Sequence, residues 1–517
     1  MMRSYDVIVV GGGIAGLTAT AYLAKAGVRV LLCEQQEKVG GLVGTFEREG
    51  FSFDQGIRAF EDSGILLPMI KSLGIDMTFI SNPVQIGIKN DMISIDNKES
   101  LNDYAKLLKS HFPDEKNAID IITEKIRQVM MYMDVLYGIE NPLFLEGKLD
   151  SKYLLHTLLP WLIKYNRSMK KVKAFHGDVV TYLKQFTQNQ SLIDMITQHF
   201  FKNTPAFFAL SYFGFYTDYR YPLGGTGTLT KKLEEVILKY GGEIACKTRV
   251  IAVDQKQKTI TTEAKEVIGY HDLVWAANIK TLYRNLAHLP SRKGRKLSAL
   301  MNKSHGSDSI LTCYFGIRMN SEKLLKYVGI HSFYTPDSRG LHNLSTWKDA
   351  PNLSTWVSQY LDYTTYEISC PSLRDPSLAP DGQSSLIVST LFDYDLTARF
   401  SDHRQMEEFK KFILKKVKDV LEKSVLPDLS NLIVFESCST PLTIESLTSN
   451  ADGAITGWSF ANEVIPSEHR FPQIRKSIRT TIPHIYQCGQ WTFSPAGMPV
   501  SILTGKLAAD KIIKKRK

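Results

Sequence analysis

The stretch Tyr5-Asp6-Val7-Ile8-Val9-Val10-Gly11-Gly12-Gly13-Ile14-Ala15-Gly16 decides the fold of this chain. Residues 7–10 are branched and apolar, which is typical of a parallel strand covered on both faces. The glycines predict a sharp turn at Gly11, a close approach of phosphate to the backbone at Gly13, and tight helix–strand packing at Gly16. The following helix directs its N-terminal N–H groups and partial positive charge toward the turn. We therefore predict a strand, a glycine turn and a helix that form an anion site.

A second strand and an acidic residue follow at the spacing of a dinucleotide-binding unit. Residues 28–34, Val-Arg-Val-Leu-Leu-Cys-Glu, predict a buried strand that ends at Glu34, 23 residues after Gly11. A carboxylate at that place accepts the hydroxyls of an unphosphorylated ribose. A glycine turn alone would be a weak signal, but the two strands, the helix and the acid together indicate a dinucleotide site.

Composition limits the class of protein. The chain has 517 residues, of which 43% are hydrophobic and 22% charged, and this is ordinary for a globular protein of roughly two to four domains. The net charge of +10 is small for this length, and acids are interleaved with the bases. This pattern favours solubility and mild attraction to anionic surfaces. We expect no nucleic-acid partner.

Cysteine usage and hydropathy indicate the compartment. The six cysteines are scattered and form no CxxC pair, which argues against a disulfide framework or a metal site and fits a reducing compartment. The chain enters its first strand too early for a signal peptide. The longest apolar stretch, residues 154–163, is too short to span a bilayer. We expect a cytoplasmic protein, either free or peripheral on the cytoplasmic face of the membrane.

The periodicity changes along the chain. Residues 84–95 alternate like two strands, and residues 99–220 have helical periodicity. Alternation typical of antiparallel strands returns at 310–317, 385–392 and 431–438, and 404–424 is an amphipathic helix. Residues 484–490 predict a last buried strand before a C-terminal helix. The chain therefore begins and ends in segments typical of a nucleotide-binding domain.

Five motifs give the chain a resemblance to a known family. They are the N-terminal fingerprint with Gly40-Gly41, the hairpin at 50–56, Tyr221-Pro222-Leu223-Gly224-Gly225, the segment 372–382 with 440–441 and 452–454 after it, and the C-terminal segment 489–509. In these motifs the chain resembles the phytoene desaturase family of flavoproteins, whose relatives include carotene isomerases, retinol saturases, amine oxidases and protoporphyrinogen oxidases. Asp375-Pro376-Ser377-Leu378-Ala379-Pro380-Asp381-Gly382 discriminates most, because it is typical of the desaturase-like members.

The resemblance implies an α/β fold with a doubly wound, Rossmann-type domain that binds FAD. This domain would be assembled from residues 1–80, 222–280 and 480–517. Residues 81–221 would form a helical insertion that faces the membrane or admits substrate. Residues 281–479 would form a substrate domain with an antiparallel sheet.

The resemblance also implies the cofactor contacts, residue by residue. The backbone of Val250 would contact the adenine, and Met498 and Val500 would face the pyrimidine edge of the flavin. Two positions depart from the family pattern. At Leu42 the family often has an arginine or a small polar residue, and at Gln490 it usually has an acid. The remaining implied FAD contacts are Gly11, Gly13, Ala15, Gly16, Glu34, Gly41, Gly489 and Gln490.

The implied activity is hydride transfer between a long apolar polyene or isoprenoid and flavin N5, with a quinone, oxygen or a nicotinamide as the electron partner. Carotenoid isomerisation and a retinol saturase-like reduction on the same fold remain alternatives. A flavin amine oxidase would need an aromatic pair at the flavin, for which Tyr486 and Trp491 are candidates. A non-catalytic, flavin-bound membrane scaffold is a further alternative. We name no catalytic residue, because FAD carries the redox chemistry and the histidines are isolated in the sequence.

Three features have two interpretations each. Residues 207–216 contain six aromatic residues and predict either a core helix or the lining of an apolar tunnel. The apolar stretch 154–163, followed by basic residues up to Lys173, predicts either a membrane-docking surface or a buried helix with a solvated flank. Arg58 could face the flavin, but we favour a structural salt bridge.

Overall fold

The computed structural model describes residues 2–136, 139, 142–144, 151–288, 291–400 and 402–516. Strands and helices in these ranges are numbered in chain order. The strands are β1 Ser4–Val10, β2 Val30–Cys33, β3 Thr45–Arg48, β4 Phe51–Asp54, β5 Phe79–Ser81, β6 Val84–Ile88, β7 Asp91–Ile95, β8 Arg220–Pro222, β9 Glu243–Ala245, β10 Val250–Asp254, β11 Thr259–Thr262, β12 Val267–Trp275, β13 Ser309–Ile317, β14 His331–Thr335, β15 Tyr366–Ser369, β16 Ser384–Phe392, β17 Ile433–Ser439 and β18 Ile485–Gln487.

The helices are distributed over the whole chain, and a π-helical turn, Leu154–Leu158, joins α5 to α6. They are α1 Ile14–Lys25, α2 Leu66–Leu73, α3 Ser100–His111, α4 Lys116–Leu136, α5 Ser151–Tyr153, α6 Leu159–Val172, α7 Val179–Leu183, α8 Gln190–Thr197, α9 Ala206–Tyr216, α10 Gly227–Lys239, α11 Ile279–Arg284, α12 Arg292–Lys303, α13 Ser321–Val328, α14 Leu353–Tyr363, α15 Pro371–Arg374, α16 Tyr394–Ala398, α17 His403–Glu422, α18 Leu429–Leu432, α19 Pro441–Thr448, α20 Ile474–Ser477 and α21 Met498–Arg516.

The first sheet has the order β10-β11-β12-β1-β2-β9, and β18 pairs with β12. β1 is parallel to both β2 and β12, and β12 is parallel to β18. Alternate residues of β1 enter two different cores: Val7 and Val9 pack with α1, α10 and α21, whereas Ile8 and Val10 pack on the other face. A strand that is buried on both faces needs the continuous branched run that the sequence shows. The predicted doubly wound α/β unit is confirmed.

The second sheet has the order β17-β13-β16-β15-β14-β6-β7. The three predicted antiparallel strands are β13, β16 and β17, and they pair as predicted. β6 and β7 also belong to this sheet, because β6 pairs in parallel with β14. Their residues lie inside the range 81–221 that was assigned to the helical insertion, so the boundary at 81 is wrong for these two strands. The other domain boundaries stay predictions.

The two faces of the second sheet have different surroundings. Leu311, Cys313 and Phe315 of β13 pack into a core with α14 and α17. Ile310 and Tyr314 of the same strand point to the opposite face, as the period of two requires, and they line a cavity. The second sheet is therefore one wall of that cavity.

The first and last helices pack closely. A Cβ atom added at Gly505 of α21 would overlap the backbone carbonyl group of Ala15 in α1. Leu503, Ala508 and Ile512 of α21 share a core with α1. This contact brings the segment at 489–500 to the glycine turn at 11–16, although almost the whole chain separates them.

Candidate functional site

One large cavity lies between the turns of the first sheet and the face of the second sheet. Its volume is about 3040 Å³. Sites for a single small molecule have roughly 300–1,000 Å³. The cavity therefore has room for a dinucleotide and a second, extended ligand together.

The glycine turn forms a cradle at one end of this cavity. Gly11 has a φ of +106°, and a Cβ there would lie 3.0 Å from the backbone of Ala276, so only glycine fits. Gly13 lines the cavity, and a Cβ there would meet no atom within 4 Å. Because α1 begins at Ile14, its first N–H groups point into this open space. The turn thus offers an anion-binding edge that a side chain at Gly13 would fill.

Glu34 lies where β2 ends and lines the same cavity. Its carboxylate accepts hydrogen bonds from the N–H of Gly12 at 2.6 Å and from the N–H of Gln36 at 2.9 Å. Two backbone donors fix the carboxylate beside the glycine turn. This is the geometry that the predicted ribose contact requires.

The second glycine pair lies against the first turn. Gly40 and Gly41 have φ values of +130° and +56°, and the N–H of Gly40 donates to the carbonyl of Gly12 at 2.8 Å. Gly41 lines the cavity, and so does Val250 at the start of β10. The N-terminal contacts implied by the resemblance therefore surround one end of the cavity.

The C-terminal segment completes this end. Gly489 has a φ of +96°, and a Cβ there would lie 3.3 Å from the Cβ of Ala15. Gln490, Met498 and Val500 line the cavity, and α21 begins at Met498. A helix N-terminus at this place favours negative charge on a bound group.

The structure brings together almost every residue of the predicted cofactor site. Gly16 is the exception, because it does not line the cavity; a Cβ there would overlap the carbonyl group of Gly11. Gly16 therefore allows α1 to pack against the turn, and its implied contact with FAD stays a prediction. The other FAD contacts stay predictions residue by residue, and the open space at Gly13 fits a pyrophosphate.

Three of the recognition motifs meet in a buried cluster behind the cavity. The hydroxyl of Tyr221 donates to Asp54 at 2.8 Å, and Thr226 donates to the same carboxylate from its N–H and its hydroxyl, both at 2.9 Å. The guanidinium of Arg374 lies 4.2 Å from the ring centroid of Tyr221 and 3.9 Å from Asp54. Burial, followed by the charge of Asp54, raises the pKa of Tyr221. None of Asp54, Tyr221 and Arg374 lines the cavity, so their role is to join segments.

A row of polar residues crosses the cavity face of the second sheet. Thr312 of β13, Ser389 of β16 and Glu367 of β15 are direct cross-strand neighbours, and Phe333 of β14 continues the row. Ser389, Glu367 and Phe333 line the cavity. We call Ser389, Glu367 and the adjacent His331 the polar floor. Sequence analysis missed it, because the register that aligns these residues cannot be read from any one strand.

Glu367 and His331 form a hydrogen-bonded pair in this floor. The Nε2 of His331 lies 2.9 Å from Oε1 of Glu367, and its Nδ1 lies 3.1 Å from the Asn82 amide nitrogen. Burial lowers the pKa of His331. Burial alone would raise the pKa of Glu367, but the bond to His331 and the charges of Arg58 and Arg374 lower it overall. A neutral imidazole thus donates to an ionised carboxylate.

Arg58 lies between the cradle and the floor. It is 3% exposed, lines the cavity, and donates to the carbonyl of Asp54 and, at 3.3 Å, to the hydroxyl of Ser389. The predicted salt bridge is wrong: within the described ranges no acidic side chain forms an ion pair with Arg58. Its hydrogen-bond partners are neutral, namely a backbone carbonyl and the hydroxyls of Ser389 and Tyr314, and its charge lowers the pKa of Glu367.

Both interpretations of the aromatic segment 207–216 hold, one for each face of α9. Ala209, Leu210 and Phe213 enter the core of the helical part. On the other face, Phe207, Phe208, Tyr212 and Phe215 line the cavity.

Glu61 lies in this aromatic part of the cavity. Burial, and then the charge of Asp218, raise its pKa to about 7.

The helical stretch 151–172 separates the cavity from solvent. Trp161, Tyr165 and Met169 line the cavity. The opposite face exposes Leu155, Leu159 and Ile163 by 61%, 50% and 49%. Exposed basic residues follow: Lys164, Arg167, Lys170, Lys171 and Lys173. None of the helices in the part of the chain covered by the structure is long and apolar enough to cross a membrane.

The candidate aromatic pair for an amine site is not formed. Trp491 lines the cavity, but its ring packs edge-on against Trp458 at 4.8 Å. Tyr486 lies in β18 opposite Val274 and does not line the cavity.

The sheet order, the glycine cradle and the acid after the second strand define a Rossmann-type dinucleotide-binding protein, and the family that it matches makes it an FAD-dependent oxidoreductase. Comparison with known proteins agrees. The chain belongs to the family described as flavin containing amine oxidoreductase, which matches residues 14–513.

The relatives place the chain among the phytoene desaturase-type members. It is 25% identical to a chloroplastic prolycopene isomerase of Daucus carota over 85% of this chain and 70% of that protein. It is 24% identical to a 1-hydroxycarotenoid 3,4-desaturase of Flavobacterium sp. (strain P99-3), over 98% of both chains. It is 23% identical to an all-trans-retinol 13,14-reductase of Danio rerio, over 99% of this chain and 86% of that protein.

A solved structure shares the fold. Wild-type putrescine oxidase bound to putrescine superposes with a TM-score of 0.62 at 14% identity, over 99% of this chain and 100% of that one. At this identity the likeness extends to the architecture alone.

Proposed function

We propose that this oxidoreductase acts on a long apolar polyene or isoprenoid, with hydride passing between a substrate carbon and FAD. The observation that carries the proposal is the continuity of the cavity, which runs from the glycine cradle past the aromatic face of α9 to Trp161 and Tyr165. A long, apolar, aromatic-lined space suits an extended hydrocarbon. The relatives support the proposal, because those named above carry carotenoid or retinoid names.

FAD, when bound, supplies the hydride chemistry, so the protein has to position the substrate and control charge and water. The aromatic residues of α9 and α6 exclude water from the path. The N-terminus of α21 stabilises negative charge on a group held beside Met498. The buried Asp54–Arg374 cluster joins the segments that carry the cradle to those that carry the second sheet.

The direction of the reaction stays open among desaturation, saturation and isomerisation, since the relatives' names include all three. The electron partner in this proposal is a quinone, oxygen or a nicotinamide. Anaerobic reduction and re-oxidation of the purified holoprotein with each of these partners would distinguish them.

The test is to express the chain in cells that accumulate defined polyenes and to analyse the extracted pigments. We expect at least one polyene to change its number or geometry of double bonds. The Gly13→Val variant, in which a side chain fills the anion edge, serves as the control and should leave the pigments unchanged. An unchanged pigment profile with every polyene, from a protein that retains FAD, would contradict the proposal and favour the amine oxidase or scaffold alternatives.

We further propose that the stretch 151–172 rests on an anionic membrane surface, from which the substrate enters. One face of the stretch lines the cavity and the other exposes leucine and isoleucine side chains beside a basic flank. Apolar side chains that enter the interface, together with lysines near anionic head groups, give reversible binding.

Co-sedimentation with vesicles tests this surface. The protein should bind vesicles that contain phosphatidylserine more than neutral vesicles, and added salt should weaken the binding. Leu155→Ser/Leu159→Ser should reduce binding about tenfold or more, while a control pair on another exposed surface, Leu238→Ser/Leu325→Ser, should not. Equal loss in both double variants would contradict the proposed surface.

A further inference from the structure

The polar floor is unexpected in a cavity for a hydrocarbon. Glu367 lines the cavity with 31% of its side chain exposed, and only its Oε1 accepts the bond from His331. A pure hydrocarbon lying over this carboxylate would remove its water and return no hydrogen bond. Such desolvation of a charged group is strongly unfavourable. The floor therefore favours a substrate with a polar group at this place.

Two opposite charges, those of Arg58 and Glu367, border the floor without forming an ion pair. Arg58 donates to Ser389, and Ser389 is the direct cross-strand neighbour of Glu367. Cross-strand neighbours have Cβ atoms roughly 4.5–5.5 Å apart, and the charge of Arg58 acts on the Glu367 carboxylate, so the two groups lie near each other. No direct ion pair joins these two described residues. The result is a gap between the Arg58 guanidinium, a donor, and the Glu367 carboxylate, an acceptor, and both residues line the cavity.

The chemistry of this gap selects among polar groups. A carboxylate on the substrate would bind Arg58 but would be repelled by Glu367, and an ammonium group would meet the reverse. A carbonyl or ether oxygen would accept from Arg58 and leave Glu367 unsatisfied. A hydroxyl both donates and accepts, and it is neutral. It therefore satisfies both residues at once.

The floor is also rigid enough to discriminate. Asn82 and Glu367 hold the two nitrogens of His331, which is 1% exposed, and the Tyr219 ring stacks on the imidazole at 5.9 Å with an interplanar angle of 11°. The carboxylate thus cannot turn away from the cavity without losing its bond to a fixed imidazole. A fixed acceptor rejects a ligand that lacks the matching donor more strongly than a mobile one does.

We propose that Arg58 and Glu367 bind a hydroxyl group of the substrate, so that the preferred substrates are hydroxylated polyenes or isoprenoid alcohols. Glu367 accepts the hydroxyl hydrogen, Arg58 donates to the hydroxyl oxygen, and His331 is a positioning residue for Glu367. This inference rests on the proposed function, because it concerns a group on the same apolar substrate.

Binding of matched ligands tests the inference without turnover. The probes are all-trans-retinol with its methyl ether, and 1-hydroxylycopene with its methyl ether, titrated into the FAD-loaded protein in detergent. The methyl ether keeps the oxygen but cannot donate to Glu367. The change in flavin absorbance or the quenching of tryptophan fluorescence reports binding. We expect the alcohol of at least one pair to bind about tenfold to a hundredfold more tightly than its ether, as for a hydrogen bond to a charged group.

Glu367→Gln should reduce this preference to within about threefold, because the amide keeps the shape but loses the charge. Glu436→Gln is the matched control, since Glu436 is exposed on β17 and its side chain pairs with Lys418 outside the cavity. The control should keep the native preference. Measured FAD content and circular dichroism show whether each variant is folded and loaded.

The outcomes separate the two proposals. Equal binding of alcohol and ether by the native protein, or an unchanged preference in Glu367→Gln, would overturn the hydroxyl site. If the hydroxyl site is overturned in this way but polyenes without a hydroxyl group are converted, the proposed function still holds and only the hydroxyl site fails. If the native protein neither binds nor converts any polyene, both proposals fail.

Discussion

The cradle and the polar floor lie in the same cavity but are built in opposite ways. The cradle consists of backbone N–H groups, glycines with positive φ and one carboxylate fixed by backbone donors. The floor consists of side chains from three strands that meet only because the second sheet has one particular register. Backbone sites leave a local trace in the sequence, whereas side-chain sites depend on pairings between distant segments. This difference explains why one of the two was predicted and the other was not.

The two regions also differ in their electrostatics. At the cradle the positive end of α1 faces the cavity, and a bound anion stabilises it. Around the floor the fold keeps Arg58, Glu61 and Glu367 in poorly solvated places, which opposes stability until a ligand binds. We therefore expect substitutions in the cradle to change cofactor binding. Substitutions in the polar floor and in the aromatic part of the cavity should change stability and substrate choice.

The largest effect should come from filling the open space of the cradle. Gly13→Val adds a side chain where no atom lies within 4 Å and φ is −71°, so the fold should tolerate it. The same side chain would occupy the predicted pyrophosphate position, and FAD affinity should fall at least about a hundredfold. FAD titration followed by absorbance and fluorescence measures this.

Gly214→Ala, on α9 and outside the cavity lining, is the control for this change and should leave FAD affinity within about twofold. Normal FAD affinity in Gly13→Val would contradict the prediction that the backbone of the cradle binds the pyrophosphate of FAD.

The joint between the two regions should show the next largest effect. Arg374→Met leaves Asp54 buried with neutral donors alone, and losing one partner of a buried charge pair costs about 3 kcal/mol or more in the free energy of unfolding. Urea unfolding followed by circular dichroism measures the loss. Arg404→Met, which removes an exposed pair with Glu408, should change stability by less than about 0.5 kcal/mol. Similar losses in both variants would mean that the buried cluster does not join the regions.

A smaller effect concerns how the free energy of unfolding depends on pH through Glu61, in the aromatic part of the cavity. The pKa of Glu61 is about 7 in the folded state against an ordinary value of 4.5. Between these pH values the unfolded chain releases a proton that the folded chain keeps, so the contribution of Glu61 to the free energy of unfolding falls as the pH rises. Glu61→Gln should remove this decline, which is on the order of 2 to 3 kcal/mol between about pH 5 and pH 8.

The exposed Glu47→Gln serves as the control for Glu61 and should retain the decline. The same pH dependence of stability in the native protein and in Glu61→Gln would show that Glu61 is not held in a poorly solvated place.

Much of the fold followed from the sequence. The branched run 7–10 and the glycines predicted the first sheet, and the alternation of β13, β16 and β17 predicted the antiparallel sheet, because each of these signals is local. The segments 11–16 and 489–500 were predicted to share one crevice, and they do. That prediction came from the resemblance, since no local signal links segments so far apart.

The failures also have physical reasons. Residues 84–95 were predicted to form two strands, and they do, but they were placed in the range of the helical insertion, whereas the pairing of β6 with β14 places both strands in the second sheet. Arg58 was expected to form a salt bridge, yet its donors meet a carbonyl and a hydroxyl that only the folded chain brings near. His331 was taken as one of many isolated histidines, because its partner Glu367 lies on another strand.

The packing of α1 against α21 has a consequence for biosynthesis. Residues 11–16 are translated hundreds of residues before Gly489, Met498 and Val500. Domains that fold during synthesis normally do so as each one emerges. Here a nascent polypeptide lacks the C-terminal wall of the cavity until translation has passed position 500, so we expect flavin loading to follow the completion of that last helix.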